Sequence, residues 1–185
     1  MVTKFIAKPE LASLSIKFRD EHNISIFIET GTLGGQTTRW ASEHFDTVYT
    51  IEKNPVTAKN AKKKLADCTN IVTICGDSRQ ELPKLLKSIG NKVALLFLDA
   101  HLTGPGATDE CALREELRAL VKYPQHYIFI DDAGWFVTGK PPAAVDDKQW
   151  LEYAEIEKIL KDWDISLWRG VNVITAIPKE RHGKG

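Results

Sequence analysis

The segment Phe27-Ile-Glu-Thr-Gly-Thr-Leu-Gly-Gly-Gln-Thr-Thr38 carries the clearest structural pattern in this chain. An apolar run ends in the acid Glu29, three glycines follow, and a helix-compatible stretch begins at Gln36. This order predicts a strand, a tight loop and a helix N-terminus, which is where an open α/β sheet holds a nucleotide-like ligand. The glycines permit positive φ angles and allow a ligand to lie close to the backbone.

The spacing of this loop is Glu-x-Gly-x-x-x-Gly. It differs from the dinucleotide-binding Gly-x-Gly-x-x-Gly pattern and from the phosphate-binding loop, which ends in Gly-Lys-Ser/Thr. No lysine follows Gly35, so the sequence argues against triphosphate binding.

Apolar runs bounded by turn signals recur along the chain and alternate with helical spacing of apolar residues. The runs are continuous, as in parallel strands that are covered on both faces, and the alternation predicts a doubly wound α/β sheet with right-handed crossovers. The runs are Ile24–Ile28, Thr47–Ile51, Ile71–Cys75, Val93–Leu98 and Tyr127–Ile130. The predicted helices cover 8–21, a segment starting at Pro55 with Asn54 as its cap, and the periodic sets 82–89, 113–121 and 156–163.

The last two runs, Ile165–Trp168 and Val171–Ile177, are separated only by Arg169-Gly170. Two strands joined by so short a connection must be antiparallel, so the chain is predicted to close with a hairpin.

Together, the acid-led glycine loop and the terminal hairpin resemble class I S-adenosylmethionine (SAM) methyltransferases over residues 24–178. The Gly34-Gly35 pair is similar to that of metal-dependent small-molecule O-methyltransferases of the macrocin type, although Leu33 stands where the family often has another glycine. The resemblance implies a Rossmann-like, seven-stranded, mostly parallel sheet with an antiparallel C-terminal strand. We expect one domain over 1–178 with a leading helix in 1–23, and a loose tail at 179–185.

The resemblance also implies that SAM binds over the carboxyl ends of the strands. It assigns Glu52, at the end of the second run, to the two ribose hydroxyls. For Asp77 two roles stay open, an acceptor for the adenine amino group and a helix cap. The predicted cofactor-binding residues are Glu29, Gly31, Thr32, Gly34, Gly35, Glu52, Asp77, Ser78 and Asp99.

Three carboxylates and an imidazole leave the ends of the fourth and fifth runs. Asp99, Asp131 and Asp132 resemble the carboxylate cluster with which the related enzymes hold Mg²⁺, a hard cation that prefers oxygen ligands. A metal-bound hydroxyl of the substrate loses its proton more easily. His101 and Asp99 are the candidate catalytic residues, with His101 as general base. As alternatives, Asp131 and Asp132 could cap loop backbone, and His101 could bind metal or have no catalytic part.

Two loops are expected to shape the acceptor pocket, 102–108 and 133–147. Trp135 and Phe136 in the second loop could stack on a flat acceptor or anchor the loop to the core. The short connection between the last two strands leaves no room for a large recognition insert, which favours a small acceptor or a lid supplied by a partner. We expect a small hydroxylated acceptor such as a sugar or phenol.

Bulk properties exclude several classes of protein. The formal net charge is zero, which argues against nucleic-acid or membrane partners. The three cysteines, Cys68, Cys75 and Cys111, form neither a disulfide framework nor a zinc motif, and no signal segment opens the chain, so a cytoplasmic location is expected. An oligomer is possible.

The sequence therefore favours a Mg²⁺-assisted SAM-dependent O-methyltransferase. A metal-free methyltransferase and a non-catalytic SAM-binding or partner-binding module remain as alternatives. A nicotinamide-dependent oxidoreductase is disfavoured by the glycine spacing.

Overall fold

Seven strands form one sheet in the computed structural model, which describes residues 9–100, 111–140 and 150–179. The strand order is 3-2-1-4-5-7-6, numbered along the chain. The strands are β1 (Ile26–Thr30), β2 (Thr47–Glu52), β3 (Ile71–Cys75), β4 (Ala94–Leu98), β5 (Tyr127–Ile130), β6 (Trp163–Trp168) and β7 (Val173–Pro178).

Strand direction follows the predicted scheme. The first five strands pair in parallel, and β7 pairs antiparallel with both β5 and β6, so only β7 runs opposite to the others. The prediction of a mostly parallel seven-stranded sheet with an antiparallel C-terminal strand is confirmed. All five parallel strands therefore end at one edge of the sheet, which we call the carboxyl edge.

Helices cover both faces of this sheet. One face packs against α1 and α2, with Phe18 against Phe129 and Trp40 against Phe27, and the other packs against α4, α5 and α7. Among the described helices, none combines the length and apolar character needed to cross a bilayer. The helices are α1 (Pro9–Glu21), α2 (Gln36–Ser42), α3 (Pro55–Lys64), α4 (Ser78–Ile89), α5 (Leu113–Leu120), α6 (Ala133–Thr138) and α7 (Tyr153–Ile159).

Some element boundaries differ from those expected. Strand β1 covers 26–30 rather than 24–28, because Ile26 to Thr30 pair with both β2 and β4. Trp163 was expected at the end of a helix, but it opens β6, where its indole N–H donates to the carbonyl of His126 at 3.0 Å. Trp163 also pairs with Pro178 of β7, and this pairing between strands places the boundary.

The segment 133–147 was expected to be a loop, but its first six residues form α6. Asn172, in the turn between β6 and β7, holds the first turn of this helix. Its carbonyl accepts the Ala133 N–H at 2.9 Å and its side-chain oxygen accepts the Gly134 N–H at 2.7 Å. Residues 141–147 of the expected loop lie outside the described residues, as do 1–8 and 180–185 at the two ends.

Candidate functional site at the carboxyl edge

Three of the predicted site residues, Gly31, Asp99 and Asp131, follow directly after strands that lie side by side. Each donates its backbone N–H to a carbonyl at the end of a neighbouring strand, at 2.9, 3.1 and 3.1 Å respectively. Gly76, after β3, does the same to the carbonyl of Glu52 at 2.9 Å. The structure thus aligns the ends of β3, β2, β1, β4 and β5 in one row, as a site over the strand ends requires.

The glycine loop needs glycine where it leaves β1. Gly31 has φ +88°, and a Cβ atom there would lie 2.6 Å from the carbonyl oxygen of Asp99. Leu33 adopts φ +46° and leaves its side chain 63% exposed above the loop. The loop therefore accommodates Leu33 through a left-handed backbone conformation.

Glu52 fixes the same loop from the end of β2. One carboxylate oxygen accepts the Leu33 N–H at 2.9 Å and the other accepts the Asn54 N–H at 2.9 Å. Each carboxylate oxygen has a second lone pair, and the side chain is only partly buried. Glu52 can therefore hold the loop and still accept hydrogen bonds from a ligand diol.

Glu29 lies below the loop, with 2% of its surface exposed. Its carboxylate accepts the Thr38 hydroxyl at 2.5 Å and the Thr50 hydroxyl at 2.6 Å, and the Thr50 and Thr32 hydroxyls are 2.6 Å apart. Burial raises the pKa of Glu29 to about 7, although these hydroxyls oppose the shift. This arrangement makes Glu29 part of a buried support for Thr32, and its contact with a cofactor stays a prediction.

Asp77 caps α4, as the second sequence interpretation proposed. Its carboxylate accepts the Arg79 N–H at 3.0 Å and pairs with the Arg79 guanidinium at 2.9 and 2.6 Å, while the Lys53 ammonium lies 3.3 Å away. The hydrogen bond from Arg79 is the largest reason that the pKa of Asp77 falls to about 2. The adenine role of Asp77 stays a prediction for a group that already has two cationic partners, and its neighbour Ser78 is buried.

The carboxylates after β5 are tied to nearby backbone and to the last hairpin. Asp131 is 5% exposed and accepts the Asp132 N–H at 2.8 Å. Asp132 adopts φ +56°, and its carboxylate accepts a hydrogen bond from the Asn172 side-chain amide at 3.2 Å.

The role of Asp99, Asp131 and Asp132 as metal ligands stays a prediction. Within the ranges 9–100, 111–140 and 150–179, no group of three or more His, Cys, Asp or Glu side chains could hold a metal ion. Asp99 and Asp131 share the carboxyl edge, while His101 lies outside the described residues.

The two aromatic residues of the second loop have different environments. Phe136 is 1% exposed and stacks on Trp150, with ring centroids 4.6 Å apart and planes at 7°. Trp135 is 41% exposed. Phe136 therefore anchors α6 to the core, and only Trp135 is available to a molecule from solvent. The other expected loop, 102–108, lies outside the described residues.

Sequence reasoning missed four residues that build this edge: Thr38, Thr50, Asn172 and Glu116. Thr50 lies within an apolar strand, so its hydroxyl requires a partner, which is a signal that could have been noticed. Glu116 interrupts the apolar face of α5 between Leu113 and Leu117 and is 1% exposed. Asn172 gave no comparable signal.

Comparison with known proteins identifies the fold. No family model matches the sequence, and no curated protein matches it. Many solved structures are similar, among them the S-adenosylhomocysteine-bound methyltransferase PaMTH1 of Podospora anserina, with 16% identity, a TM-score of 0.63, and coverage of 92% of this chain and 78% of that chain.

Two further structures show the same likeness. The O-methyltransferase TomG of Streptomyces achromogenes, solved with SAM, has 17% identity and a TM-score of 0.61 over 91% of this chain and 79% of that chain. The O-methyltransferase of Bacillus cereus, solved with S-adenosylhomocysteine, has 13% identity and a TM-score of 0.59 over 92% and 81%. At these identities the comparison establishes a shared fold, which is the one expected from the sequence.

Proposed function

We propose that this chain is a SAM-dependent methyltransferase. The observation that carries the proposal is the contact between the Leu33 N–H and the Glu52 carboxylate at 2.9 Å, which joins the glycine loop after β1 to the acid at the end of β2. Two structures of the same fold were solved with S-adenosylhomocysteine and SAM. Ligands of open α/β sheets bind across the carboxyl ends of the strands, and the position of this pair at that edge supports a role in holding the adenosine part of the cofactor.

The residues divide into those that would touch the cofactor and those that position them. Glu52 would accept hydrogen bonds from the ribose hydroxyls, and the backbone of the loop from Gly31 to Gly35 would lie against the cofactor. Glu29 supports the loop through Thr32 and Thr50. The sulfonium of SAM is already a good leaving group, so the protein would act mainly by positioning the acceptor and removing its proton.

Binding of S-adenosylhomocysteine, measured by isothermal titration calorimetry, tests the cofactor part of this proposal. Glu52→Gln removes a charged acceptor, so we expect the dissociation constant to rise roughly 10- to 100-fold, which corresponds to one or two charge-assisted hydrogen bonds. Glu21→Gln is the matched control, because Glu21 ends α1 at the opposite edge of the sheet and its side chain is half exposed.

We expect the Glu21 variant to bind like the unchanged protein. If the unchanged protein binds no S-adenosylhomocysteine, the proposed function is wrong. If Glu52→Gln and Glu21→Gln bind equally well, the site lies elsewhere on the molecule.

The acceptor that we propose is a small hydroxylated molecule, and the proposed reaction is O-methylation assisted by Mg²⁺. Carboxylate oxygens of Asp99, Asp131 and Asp132 have the chemistry that Mg²⁺ prefers. When bound, the metal would lower the pKa of an acceptor hydroxyl. His101 or Asp99 would take the proton.

Chelation tests the metal part separately. With radiolabelled SAM and a panel of phenols and sugars, we expect excess EDTA to abolish methyl transfer and added Mg²⁺ to restore it, while binding of S-adenosylhomocysteine is unchanged. Asp131→Asn should reduce turnover roughly 10- to 100-fold, the scale typical of changes at a metal site. Turnover that persists in EDTA would indicate a metal-free methyltransferase, and cofactor binding without transfer to any acceptor would favour a non-catalytic module.

A further inference from the structure

Glu116, in the first turn of α5, is a buried carboxyl group with no assigned role at the carboxyl edge. It is 1% exposed, and within the described part of the chain neither of its oxygens has a hydrogen-bond partner. The Thr30 hydroxyl is buried and unpartnered as well. Buried polar groups are almost always satisfied, so three orphaned oxygen atoms in one region require an explanation.

The neighbours of Glu116 belong to the segments that flank the proposed cofactor site. The hydroxyls of Thr30 and Ser78 lie beside its carboxyl group, close enough to lower its pKa. Thr30 is the last residue of β1, directly before Gly31, and Ser78 is the first residue of α4, directly after Asp77. Glu116 therefore lies where the end of β1, the start of α4 and the start of α5 meet.

The protonation state of Glu116 decides how costly it is to bury this carboxyl group at the junction. Burial, together with the negative charge of Asp77, raises the pKa of Glu116 to about 7. A neutral carboxyl group can donate its proton to one hydroxyl and accept from the other. An ionised carboxylate is costly at a position that is 1% exposed, so ionisation favours movement of the segments around it.

We propose that Glu116 is a positioning residue that, as a neutral acid, joins Thr30 to Ser78 and so holds the glycine loop and the start of α4 in the arrangement that binds the cofactor. This inference rests on the proposed function. It assigns to Glu116 no contact with the cofactor, because its oxygen atoms are enclosed by protein.

Other ionisable groups near Glu116 define the controls. On its own helix the neighbour is Glu115, Asp77 faces it from the cap of α4, and the buried thiol of Cys111 precedes α5. Glu29, on the opposite face of β1, has a pKa raised to a similar value and would contribute its own pH dependence. Glu116→Gln removes the pH dependence of Glu116 alone. Glutamine keeps the size and hydrogen-bonding capacity of the neutral acid but does not titrate.

The experiment measures the dissociation constant of S-adenosylhomocysteine by calorimetry between pH 6 and pH 8.5. For the unchanged protein, the constant should rise on the order of tenfold between pH 7 and pH 8.5, as the neutral fraction of Glu116 falls. Glu116→Gln should match the unchanged protein at pH 6 and lose most of this rise. Glu116→Leu should bind more weakly than Glu116→Gln at every pH, because it offers no hydrogen-bond partner to the buried Thr30 hydroxyl.

Glu115→Gln is the matched control, since its side chain is 44% exposed on the same turn of α5, and it should follow the unchanged protein. The inference is wrong if Glu116→Gln keeps the full pH dependence, or if Glu116→Leu binds as well as Glu116→Gln. Absence of S-adenosylhomocysteine binding by the unchanged protein at every pH would instead refute the proposed function, so the two failures are distinct.

Discussion

Two buried carboxyl groups lie on opposite faces of β1 where that strand ends. Glu29 faces α2 and is bonded by two threonine hydroxyls, while Glu116 reaches the other face from α5 and is bonded by none in the described residues. Burial raises the pKa of each to about 7. The same desolvation therefore acts on a satisfied group and on an unsatisfied one, beside the loop that starts at Gly31.

The free energy of unfolding should depend on pH because Glu116 is neutral in the fold at low pH. Its pKa is 4.5 in the unfolded chain and about 7 in the fold, so this residue's contribution is fully present below pH 4.5 and is lost as the pH rises through 7. Integrated over that interval, the loss is on the order of 3 kcal/mol. Glutamine does not titrate, so the stability of Glu116→Gln relative to the unchanged protein should increase by about that amount between pH 4.5 and pH 7.5.

Urea denaturation at pH 5, 6, 7 and 8 measures this difference directly. Because both proteins share all other ionisable groups, including Glu29, the comparison cancels their contributions. A difference that stays constant with pH would mean that Glu116 ionises in the fold as readily as in the unfolded chain.

At the scale of the element, the loop after β1 requires glycine at position 31 mainly because a side chain there would clash with neighbouring backbone. Gly31 combines a positive φ with a position where a side chain would meet the backbone of the residue after β4. Gly139, at the end of α6, also has a positive φ of +64°, but a Cβ atom there would make only an ordinary contact, 3.7 Å from Glu152. A side chain at Gly139 would therefore cause backbone strain alone, whereas one at Gly31 would cause backbone strain and a steric clash.

Alanine substitution should distinguish the two glycines. Both variants pay for a left-handed backbone, but only Gly31→Ala also forces two strand ends apart, so we expect it to be less stable than Gly139→Ala by about 1–3 kcal/mol, the usual range for overpacking. Thermal and urea unfolding give this difference. Equal losses of stability in the two variants would show that the carbonyl of Asp99 moves aside freely.

For the whole molecule, the sequence predicted what depends on local pattern. Continuous apolar runs predicted the parallel strands, and the two-residue spacing predicted the final hairpin, because both depend on neighbours along the chain. Strand order could not be read in this way. The sequence also did not reveal that Thr30, Ser78 and Glu116 lie together, because they are distant along the chain. For the same reason it did not reveal that Asn172 accepts hydrogen bonds from the first turn of α6.

The candidate site was predicted less completely than the fold for the same reason. The acids at strand ends were found because strand ends are visible in the sequence, and the structure brings Gly31, Asp99 and Asp131 to one edge. The hydrogen-bonding partners of the strand-end acids could not be read from the sequence. Arg79 pairs with Asp77 through the local conformation at the start of α4, and Thr38 bonds Glu29 because α2 docks on the sheet.

The position of β7 between β5 and β6 also has a consequence for synthesis. As the chain leaves the ribosome, residues 128–130 are made well before residues 174–176, which pair with them. During that interval the outer side of β5 offers unsatisfied amide and carbonyl groups to any extended polypeptide nearby. The sheet can therefore be completed only after the hairpin has been translated. The nascent chain is most prone to aberrant association just before that hairpin emerges.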